Sequence, residues 1–496
     1  MDETTRLLDA PTRHQEQDGV AESAVNVANT TARSIWLTLL PSLAVYFLLN
    51  ASNDLSLGPQ TAVLEDIVCR KYHGAANWLP RECKIEPVQS EVAYILGWRD
   101  VFETLPACLV AVPFGTLADK VGRKRILVLA VFGVLMNDVW VRLIYWFNAT
   151  FPLYLVWLSG IWQIIGAGSP GVASLVYAQV ADVCPAEKRT TVFSFIVAIP
   201  LVTQLTFMPL GAVLSSIDPW IPMLCTSLLE LIALSVAGFL VSETLPSSKA
   251  ALQAAAVTVQ SENEENRDDT LREQMVRKVV QWMKSHSRTL PVLICLFLFY
   301  FGQQSDGTLL LQYTSKQFGW SYGQASFLLS LRAAATLFIL LILLPWASVY
   351  LVRHRQLEEG LRDKRLTQAC GMLMTLGMVL IFMSKSWIFL VAGQFIFSIG
   401  SCFGVPARSL VASMVEREHL GAVFTLVTVL TMTGALAAGP LLASAFAWGL
   451  RAGEFWYGIA FLISAGCFAM ASLFVSLATP SQSASQNEDG VQDHMS

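Results

Sequence analysis

Ten ionisable side chains occupy positions inside apolar stretches of this 496-residue sequence. They are Arg99, Arg142, Arg332 and Arg408, together with Asp54, Asp100, Glu103, Asp138, Glu230 and Asp306. A charged side chain in such a stretch is energetically costly unless it faces water or a partner. The carboxylates outnumber the cations, and a carboxylate without a cation in an apolar medium readily takes up a proton. The pattern therefore predicts proton-binding chemistry inside an apolar molecule.

Two pairs of these residues are spaced for contact on one helix face. Arg99 and Glu103 are four residues apart, and so are Asp138 and Arg142. Residues at this spacing are neighbours on a helix and can form ion pairs. For Asp138 and Arg142 two interpretations stay open: a functional pair, or mutual neutralisation that only eases insertion of the helix.

A polar stripe lies at the end of the first apolar stretch. Asn50, Asn53 and Asp54 recur there at helical spacing and share one face. Arg99 and Glu103 approach from the same side in the second stretch, so a contact between Asp54 and Arg99 is geometrically possible. These residues are interpreted as the lining of a substrate site or, alternatively, as an outer network that holds two halves of the molecule together.

The sequence FGQQSDG forms a second polar group, with Gln303 and Asp306 between two glycines. Glycine weakens a helix, so we expect the helix to break here and to present its backbone. Glu230, in SLLELIAL, has no cation in its own helix, which makes it a candidate proton carrier beside Asp54 and Glu103. The candidate proton and substrate site comprises Asn50, Asn53, Asp54, Arg99, Glu103, Glu230, Gln303, Asp306, Arg332 and Arg408.

Long apolar segments are the elements that position these residues. The chain is 54% apolar and 14% charged, with a mean hydropathy of +0.52, whereas soluble domains carry about 25% charged residues. A hydrocarbon core needs about 20 apolar residues per helix. Twelve segments qualify: 35–57, 91–117, 124–147, 153–178, 190–214, 219–241, 289–311, 322–351, 366–384, 387–412, 421–446 and 454–478. We therefore predict an all-α membrane protein with twelve transmembrane helices.

A polar segment divides the twelve predicted spans six and six. The expected units are a disordered cytoplasmic tail (1–34), a six-helix bundle (35–246), a cytoplasmic linker (247–288), a second six-helix bundle (289–478) and a disordered tail (479–496). The polar first unit predicts no cleavable signal peptide. With the N-terminus inside, 22 of the 33 Lys and Arg lie on the cytoplasmic side and seven lie outside, as the positive-inside rule requires.

The sequence GTLADKVGRKR (115–125) concentrates charge and glycine between the second and third spans. A phosphate-binding loop would need Gly-Lys-Ser/Thr after a strand, and a nuclear targeting signal has no use on a protein with twelve spans. The cations alone would serve as a topology signal. That interpretation does not account for Gly115, Asp119 or Gly122.

The spacing of this motif resembles the loop motif of the major facilitator superfamily, and the resemblance extends over 35–478. It implies two pseudo-symmetric six-helix bundles, and an inner gate made of Gly115, Asp119, Gly122, Arg123, Lys124, Asp182 and Arg189. By that resemblance Gly115 lets the second span approach the eleventh, and Asp119 faces the N-terminus of the eleventh span. Arg123 would pair with Asp182. Residues 353–368 are a degenerate second copy, to which no role is assigned.

The local sequences LEDIVCRKY, SETLP and QYTSKQFGW are similar to fungal members of the superfamily and, more distantly, to proton-coupled folate transporters. The resemblance implies secondary active transport by alternating access rather than catalysis, and no histidine lies within a predicted span. We favour proton-coupled export of a small organic molecule, a secondary metabolite or a xenobiotic. Two alternatives stay open: proton-coupled uptake of a small nutrient or vitamin-like solute, and a substrate sensor that does not transport.

Further expectations concern partners and location. The net charge of −4 argues against a nucleic-acid partner, and no metal or cofactor is implied beyond the proton gradient. We expect a monomer in the plasma membrane or the vacuolar membrane. Glu3 with Leu7 and Leu8 resembles an adaptor-binding sorting signal for the vacuole or lysosome. Cys69 and Cys83 lie together in an external loop, where a disulfide is expected; two free thiols are the alternative.

Overall fold

The chain folds into helices joined by short connections, in a computed structural model that describes residues 10–74, 83–184, 186–244, 290–343, 346, 350, 359–415 and 420–477. Side chains are described from residue 36 onward, except for a few near helix ends at the cytoplasmic side. Within these ranges the regular structure is helical throughout. The prediction of an all-α membrane protein is confirmed.

Fourteen α-helices follow one another along the described chain. Those of the first half are α1 (Ala10–His73), α2 (Glu86–Val121), α3 (Arg123–Trp146), α4 (Gly168–Val183), α5 (Ala186–Ile217) and α6 (Trp220–Phe239). Those of the second half are α7 (Leu290–Gln303), α8 (Thr308–Phe318), α9 (Tyr322–Phe338), α10 (Glu359–Phe382), α11 (Trp387–Gly400), α12 (Gly404–Ser413), α13 (Leu420–Ala452) and α14 (Ile459–Leu477). Short 3₁₀ segments precede α4, α12 and α14.

Nine described helical segments are long and apolar enough to cross a membrane, and the number is ten when the two arms of α2 count as one span. The arms of α2 meet at Pro113 with a bend of 50°, because proline has no N–H to continue the helix. Neither of the other two predicted spans corresponds to one separate helix of its own. The first, 35–57, is the middle of α1, and the seventh, 289–311, is divided between α7 and α8.

Two spans are interrupted inside the membrane. The seventh span breaks at FGQQSDG as predicted, since α7 ends at Gln303 and α8 begins at Thr308. The fourth span breaks between a 3₁₀ helix over Leu153–Ile164 and α4. Gly166, in this second break, has a φ of 103°, and a Cβ there would collide with Ala130 of α3. Only glycine combines this backbone conformation with so close an approach.

Helix α1 is longer than expected at both ends. It begins at Ala10, inside the segment 1–34 that we expected to be disordered, and it ends at His73, well outside the span 35–57. The helix continues because residues 12–40 contain no proline and one glycine. The other polar segments, 1–9, 247–288 and 479–496, lie outside the described residues.

Each half packs as its own bundle. In the first bundle α1 packs against α5 and α6, with one apolar cluster that includes Leu127 and another, nearer the outer face, that includes Ile95 and Tyr145. In the second bundle α10 packs against α11 and α14 around Phe397 and Phe468. Lipid removes the usual hydrophobic driving force between helices, so close van der Waals packing of this kind holds each bundle together.

The two bundles meet closely in their outer halves. Gly97 of α2 faces Gly439 of α13, and a Cβ on Gly97 would lie 2.9 Å from the Gly439 carbonyl oxygen. Gly323 of α9 approaches Ala212 of α5 in a similar way, at 3.1 Å. Near the cytoplasmic end of α2, a Cβ on Gly115 would meet nothing within 4 Å. The bundles are thus in contact on the outer side, whereas no described residue approaches Gly115 near the cytoplasmic end of α2.

Candidate functional site

Arg142 pairs with two carboxylates inside the first bundle. Its guanidinium lies 3.3 Å from Asp138, one helical turn away, and 3.5 Å from Glu230 of α6. It also donates to the hydroxyls of Thr226 and Ser227. Glu230 is fully buried, so the cation that its own helix lacks is supplied by α3.

Arg99 and Glu103 form a second ion pair in the same bundle, with 2.6 Å between Arg99 Nε and Glu103 Oε1. The same Glu103 oxygen accepts hydrogen bonds from Asn137 and Ser159 at 3.3 and 3.1 Å. The contact between Arg99 and Asp54 that the sequence made geometrically possible is not formed in the structure. Arg99 is directed into the bundle because Glu103, one turn away, already satisfies its charge.

Arg332 of α9 lies at the boundary between the bundles. Its Nη1 is 2.5 Å from the Asp306 carboxylate and 3.1 Å from the Asp306 carbonyl oxygen, in the break of the seventh span. The other carboxylate oxygen of Asp306 accepts a hydrogen bond from Gln394 at 3.0 Å. Arg332 Nη2 donates to Gln204 Oε1 of α5 at 3.3 Å. One guanidinium therefore contacts both bundles.

Asp54 approaches this guanidinium from the first bundle. Its carboxylate lies near Thr203 on α5 and within electrostatic reach of Arg332, with which it forms no ion pair. Only 8% of Asp54 is exposed. Asp54 and Asp306 therefore lie near Arg332 on opposite bundles, and Asp306 is the one that pairs with it.

Asn50 and Asn53 line a crevice between α1 and α4 of the first bundle. Its volume is about 310 Å³, and Tyr46 of α1 and Ser169 and Ala173 of α4 also line it. The Asn50 amide donates to the Tyr46 carbonyl oxygen at 2.8 Å, and Asn53 is exposed. This crevice offers polar groups on the wall formed by the first bundle.

Arg408 and Tyr300 belong to the second bundle. Arg408 Nη2 donates to the Tyr300 hydroxyl at 2.8 Å, and the guanidinium carbon is 5.9 Å from the ring centre. Tyr177 of α4 is near enough to interact with the same charge from the first bundle. Arg408 is exposed, and among the described residues it makes no ion pair. Gln303 ends α7 on this bundle and is half-buried.

At the cytoplasmic side, Arg123 joins three spans. Its Nη2 is 2.6 Å from Asp119 at the end of α2, and its Nε is 3.2 Å from Asp182 at the end of α4. The backbone N–H groups of Arg123 and Lys124 donate to the Glu243 carboxylate at 2.9 and 3.2 Å. Glu243 therefore satisfies the free N–H groups at the start of α3, where the helix dipole favours an anion.

Two expectations for this motif are not met in the structure. Asp119 pairs with Arg123 instead of facing the N-terminus of α13, and 47% of its side chain is exposed. Gly115 makes no close approach to the part of α13 whose side chains the structure describes. The reason is the conformation: the close approach of α2 to α13 occurs at Gly97, in the outer half, while the implied gate contacts belong to a state with the inner ends together.

Gly122 shapes the turn between α2 and α3. Gly122 has a φ of 116°, a backbone conformation that favours glycine, and a Cβ there would collide with Glu243. In the degenerate second copy, Asp363 is buried and accepts a hydrogen bond from Ser409 of α12 at 2.5 Å. The side chain of Arg189 lies outside the described part of the structure.

On the outer side, Cys69 and Cys83 are joined by a disulfide with 5.2 Å between their Cα atoms. The bond links the outer end of α1 to the residues just before α2. The residues of the sorting motif, Glu3, Leu7 and Leu8, lie outside the described residues.

The uncharged partners of these groups were missed in the sequence. Gln204 and Gln394 are amides inside apolar spans, and an unpaired amide in lipid is costly, so their presence was itself a signal. Their partners are 128 and 88 residues away along the chain. Spacing within one helix cannot identify contacts over such separations.

Two helical bundles with a polar site at their interface define a multi-pass membrane protein built for alternating access. The sequence profile of the Major Facilitator Superfamily matches residues 88–357 and 292–493. The chain belongs to this superfamily, and the resemblance stated from its loop motif is confirmed.

Fungal relatives are similar over most of the chain. Efflux pump ustT of Aspergillus flavus is 34% identical over 466 residues, covering 91% of this chain and 90% of that protein. MFS efflux pump atnC of Emericella nidulans is 28% identical over 440 residues, covering 86% and 84%. Among solved structures, a D-xylose-proton symporter superposes with a TM-score of 0.62 at 16% identity, covering 90% and 98%. At that identity the match shows the fold alone.

Proposed function

We propose that this protein is a proton-driven exporter that moves a small organic molecule out of the cytoplasm, into the medium or into a vacuole. The observation that carries the coupling is the position of Asp54, on the first bundle, within electrostatic reach of the Arg332 guanidinium that pairs with Asp306 on the second. The family supplies the alternating-access fold, and the relatives named as efflux pumps support the direction.

The charge on Asp54 controls the attraction between the bundles. While Asp54 is ionised and no cargo is bound, its attraction to Arg332 favours contact between the outer halves, since charges act over a longer range where little water lies between them. A proton on Asp54 removes that attraction and leaves Arg332 paired with Asp306 in its own bundle. We call the state in which the outer halves of the two bundles are in contact the outer-closed state. The empty, deprotonated carrier therefore stays in this state, whereas the protonated carrier is free to reorient.

This arrangement meets the requirement for exchange of protons against cargo. Cargo that binds between the bundles in the outer-closed state must supply the energy to separate Asp54 from Arg332. On the outer side the cargo leaves, Asp54 takes up a proton, and the protonated carrier returns. Asp54 binds a proton more readily when it is separated from Arg332 and releases it when the outer halves close again, so the returning carrier brings a proton inward as cargo leaves.

Asp54 is preferred to Glu103 and Glu230 as the proton carrier because of their surroundings. Glu103 pairs with Arg99, and Glu230 pairs with Arg142, both inside the first bundle. Neither lies at the surface where the two bundles separate. We assign these two ion pairs to the stability of the first bundle.

The cargo is proposed to carry an acidic group. Arg408 is exposed beside Tyr300 and has no acidic partner among the described residues. A guanidinium in this setting binds a carboxylate or phosphate through paired hydrogen bonds, and the Tyr300 ring suits a flat or aromatic neighbour of that group. Asn50 and Asn53 add hydrogen-bonding groups in the crevice of the first bundle.

The direct experiment uses proteoliposomes with an acidic lumen and a panel of labelled aromatic carboxylic acids, each matched with its neutral amide. Exchange predicts that an acid accumulates in the lumen and that nigericin, which collapses the pH difference, abolishes the accumulation. Accumulation that requires an acidic exterior would instead establish the alternative, uptake together with protons. Flux that ignores both gradients would contradict proton coupling.

A further inference from the structure

Lys84, the residue after Cys83, connects the two bundles on the outer side. Its Nζ is 2.9 Å from Glu65 Oε1 on α1 and 4.5 Å from the centre of the Tyr322 ring on α9. It also donates to the Ser315 hydroxyl on α8. We call Glu65, Lys84, Ser315 and Tyr322 the outer contact group. Two of its members belong to the first bundle and two to the second.

Other contacts around this group extend the same junction. Lys316 Nζ donates to the carbonyl oxygen of Lys84 and lies 5.5 Å from the Tyr457 ring centre. Arg451 pairs with Glu86 at 2.9 Å, but 71% of the arginine side chain is exposed, and exposed pairs contribute little. Lys84 is 27% exposed and Glu65 is 7% exposed, so this pair is the better shielded one.

The disulfide determines where Lys84 stands. Cys69 is fully buried and Cys83 is 6% exposed, and both pack in the outer apolar cluster of the first bundle with Val68. Glu65 lies one turn before Cys69 on α1, and Lys84 follows Cys83 directly. The bond therefore holds the acid and the lysine at a constant separation, and it limits the freedom of the segment that carries Lys84.

We propose that Lys84 is an outer-gate residue of the transport cycle and that the Cys69–Cys83 disulfide positions it. The outer contact group exists only while the outer halves are together, since Ser315 and Tyr322 move with the second bundle. Loss of the outer contact group destabilises the outer-closed state relative to the outer-open state and shifts the population towards the outer-open state.

A buried residue between the bundles reports this shift without any cargo. Gln312 of α8 is fully buried beside a narrow gap lined by Gly97 and Gly439. In a Gln312→Cys protein, a membrane-impermeant maleimide added from outside reacts only when the outer side opens. The same protein without Gln312→Cys measures the background from native cysteines.

The expected result is that Lys84→Met increases the labelling rate about fivefold or more, the lower end of typical coupling between sites. Lys84→Arg keeps the slow rate because it keeps the charge. Lys385→Met is the matched control, since Lys385 is an exposed lysine on the outer side, and it leaves the rate unchanged. Glu65→Gln increases labelling from the other member of the ion pair, which tests the same contact should Lys84→Met fold poorly.

The disulfide is tested by replacing both cysteines with serine, Cys69→Ser with Cys83→Ser. Labelling is expected to increase, and adding Lys84→Met should increase it little further, because the two changes remove the same contact. Unchanged labelling in both Lys84→Met and Glu65→Gln would overturn the gate. Fully additive effects would overturn the positioning by the disulfide. Neither outcome depends on the identity of the cargo or on proton coupling.

Discussion

The guanidinium of Arg332 donates to the side-chain oxygen of Gln204 at 3.3 Å, and this hydrogen bond crosses from the second bundle to the first. The same guanidinium is 2.5 Å from Asp306 in its own bundle. The shorter, charged interaction is the stronger one, so Arg332 is expected to remain with Asp306 when the bundles separate. The hydrogen bond with Gln204 and the attraction to Asp54 are then the interactions that form and break during transport.

Asp54→Asn should uncouple transport from the proton gradient. Asparagine has no charge, like protonated aspartate, so the empty carrier is no longer held in the outer-closed state. Exchange of labelled for unlabelled cargo across proteoliposomes is expected to persist, while accumulation driven by a pH difference is lost. Asp66→Asn is the control, because Asp66 is an exposed outer acid paired with Arg70. Gradient-driven accumulation by Asp54→Asn would show that another group carries the proton.

Arg142→Leu should strongly destabilise the protein. It leaves the carboxylates of Asp138 and Glu230 buried without a cation, and the loss of one member of a buried ion pair typically costs about 3–5 kcal/mol. The measurement is the thermal unfolding midpoint in detergent. Adding Glu230→Gln to Arg142→Leu should restore part of the loss, since one of the two charges disappears. Stability equal to that of the parent would mean that the pair contributes nothing.

Arg408→Gln should weaken the binding of acidic cargo. A hydrogen bond to a charged group is worth about 1.5–3 kcal/mol, so KM for a carboxylic acid is expected to increase about tenfold or more. The KM for the neutral amide of the same cargo should change little. Arg365→Gln, at an exposed cation near the start of α10, is the matched control. Equal effects on the acid and the amide would contradict an anion site.

Asp119→Ala should impair transport while expression and cargo binding stay close to normal. In the outer-closed state Asp119 is half exposed and contacts Arg123, so its removal costs the fold little. Its proposed role belongs to the opposite state, in which the inner ends meet. Lys120→Ala, at the exposed neighbouring residue, serves as the control. Failure of Asp119→Ala to insert in the membrane would favour a topology signal over a gate.

Alkaline pH should favour the outer-closed state through Lys316. Burial, and then the charge of Lys84, lower the pKa of Lys316 from its ordinary value of 10.5, with Glu86 acting in the opposite direction. When the outer side opens, Lys316 regains water and a pKa nearer 10.5, so a bound proton favours opening. The preference for the outer-open state that this proton causes is present in full below the lowered pKa of Lys316. It is lost as the pH rises from that pKa to 10.5.

Two proteins are compared to check this dependence: Gln312→Cys alone, and Gln312→Cys together with Lys316→Gln. The measured quantity is the maleimide labelling rate of the first divided by that of the second. The ratio removes the pH dependence of the thiol reaction itself. It should fall as the pH increases from 7 towards 10. A constant ratio would show that Lys316 titrates alike in both states.

Much of the architecture was predictable because it depends on local rules. Apolar length identified the spans, the two glycines of FGQQSDG placed the break before Thr308, and the spacing of four residues paired Arg99 with Glu103. The long first helix was not foreseen, because we expected a polar segment without apolar periodicity to be disordered. It remains helical since nothing in residues 12–40 terminates it.

The sequence by itself determined what lies within one helix or follows from a family motif: the membrane-spanning elements, the ion pairs one turn apart, and the association of Arg123 with Asp182. Only the tertiary structure decided which groups meet between helices. It directed Arg99 away from Asp54, brought Arg142 to Glu230, and placed Lys84 against Tyr322. The physical reason is that a helix imposes its own spacing, whereas contacts between helices depend on how every helix is rotated and packed against its neighbours.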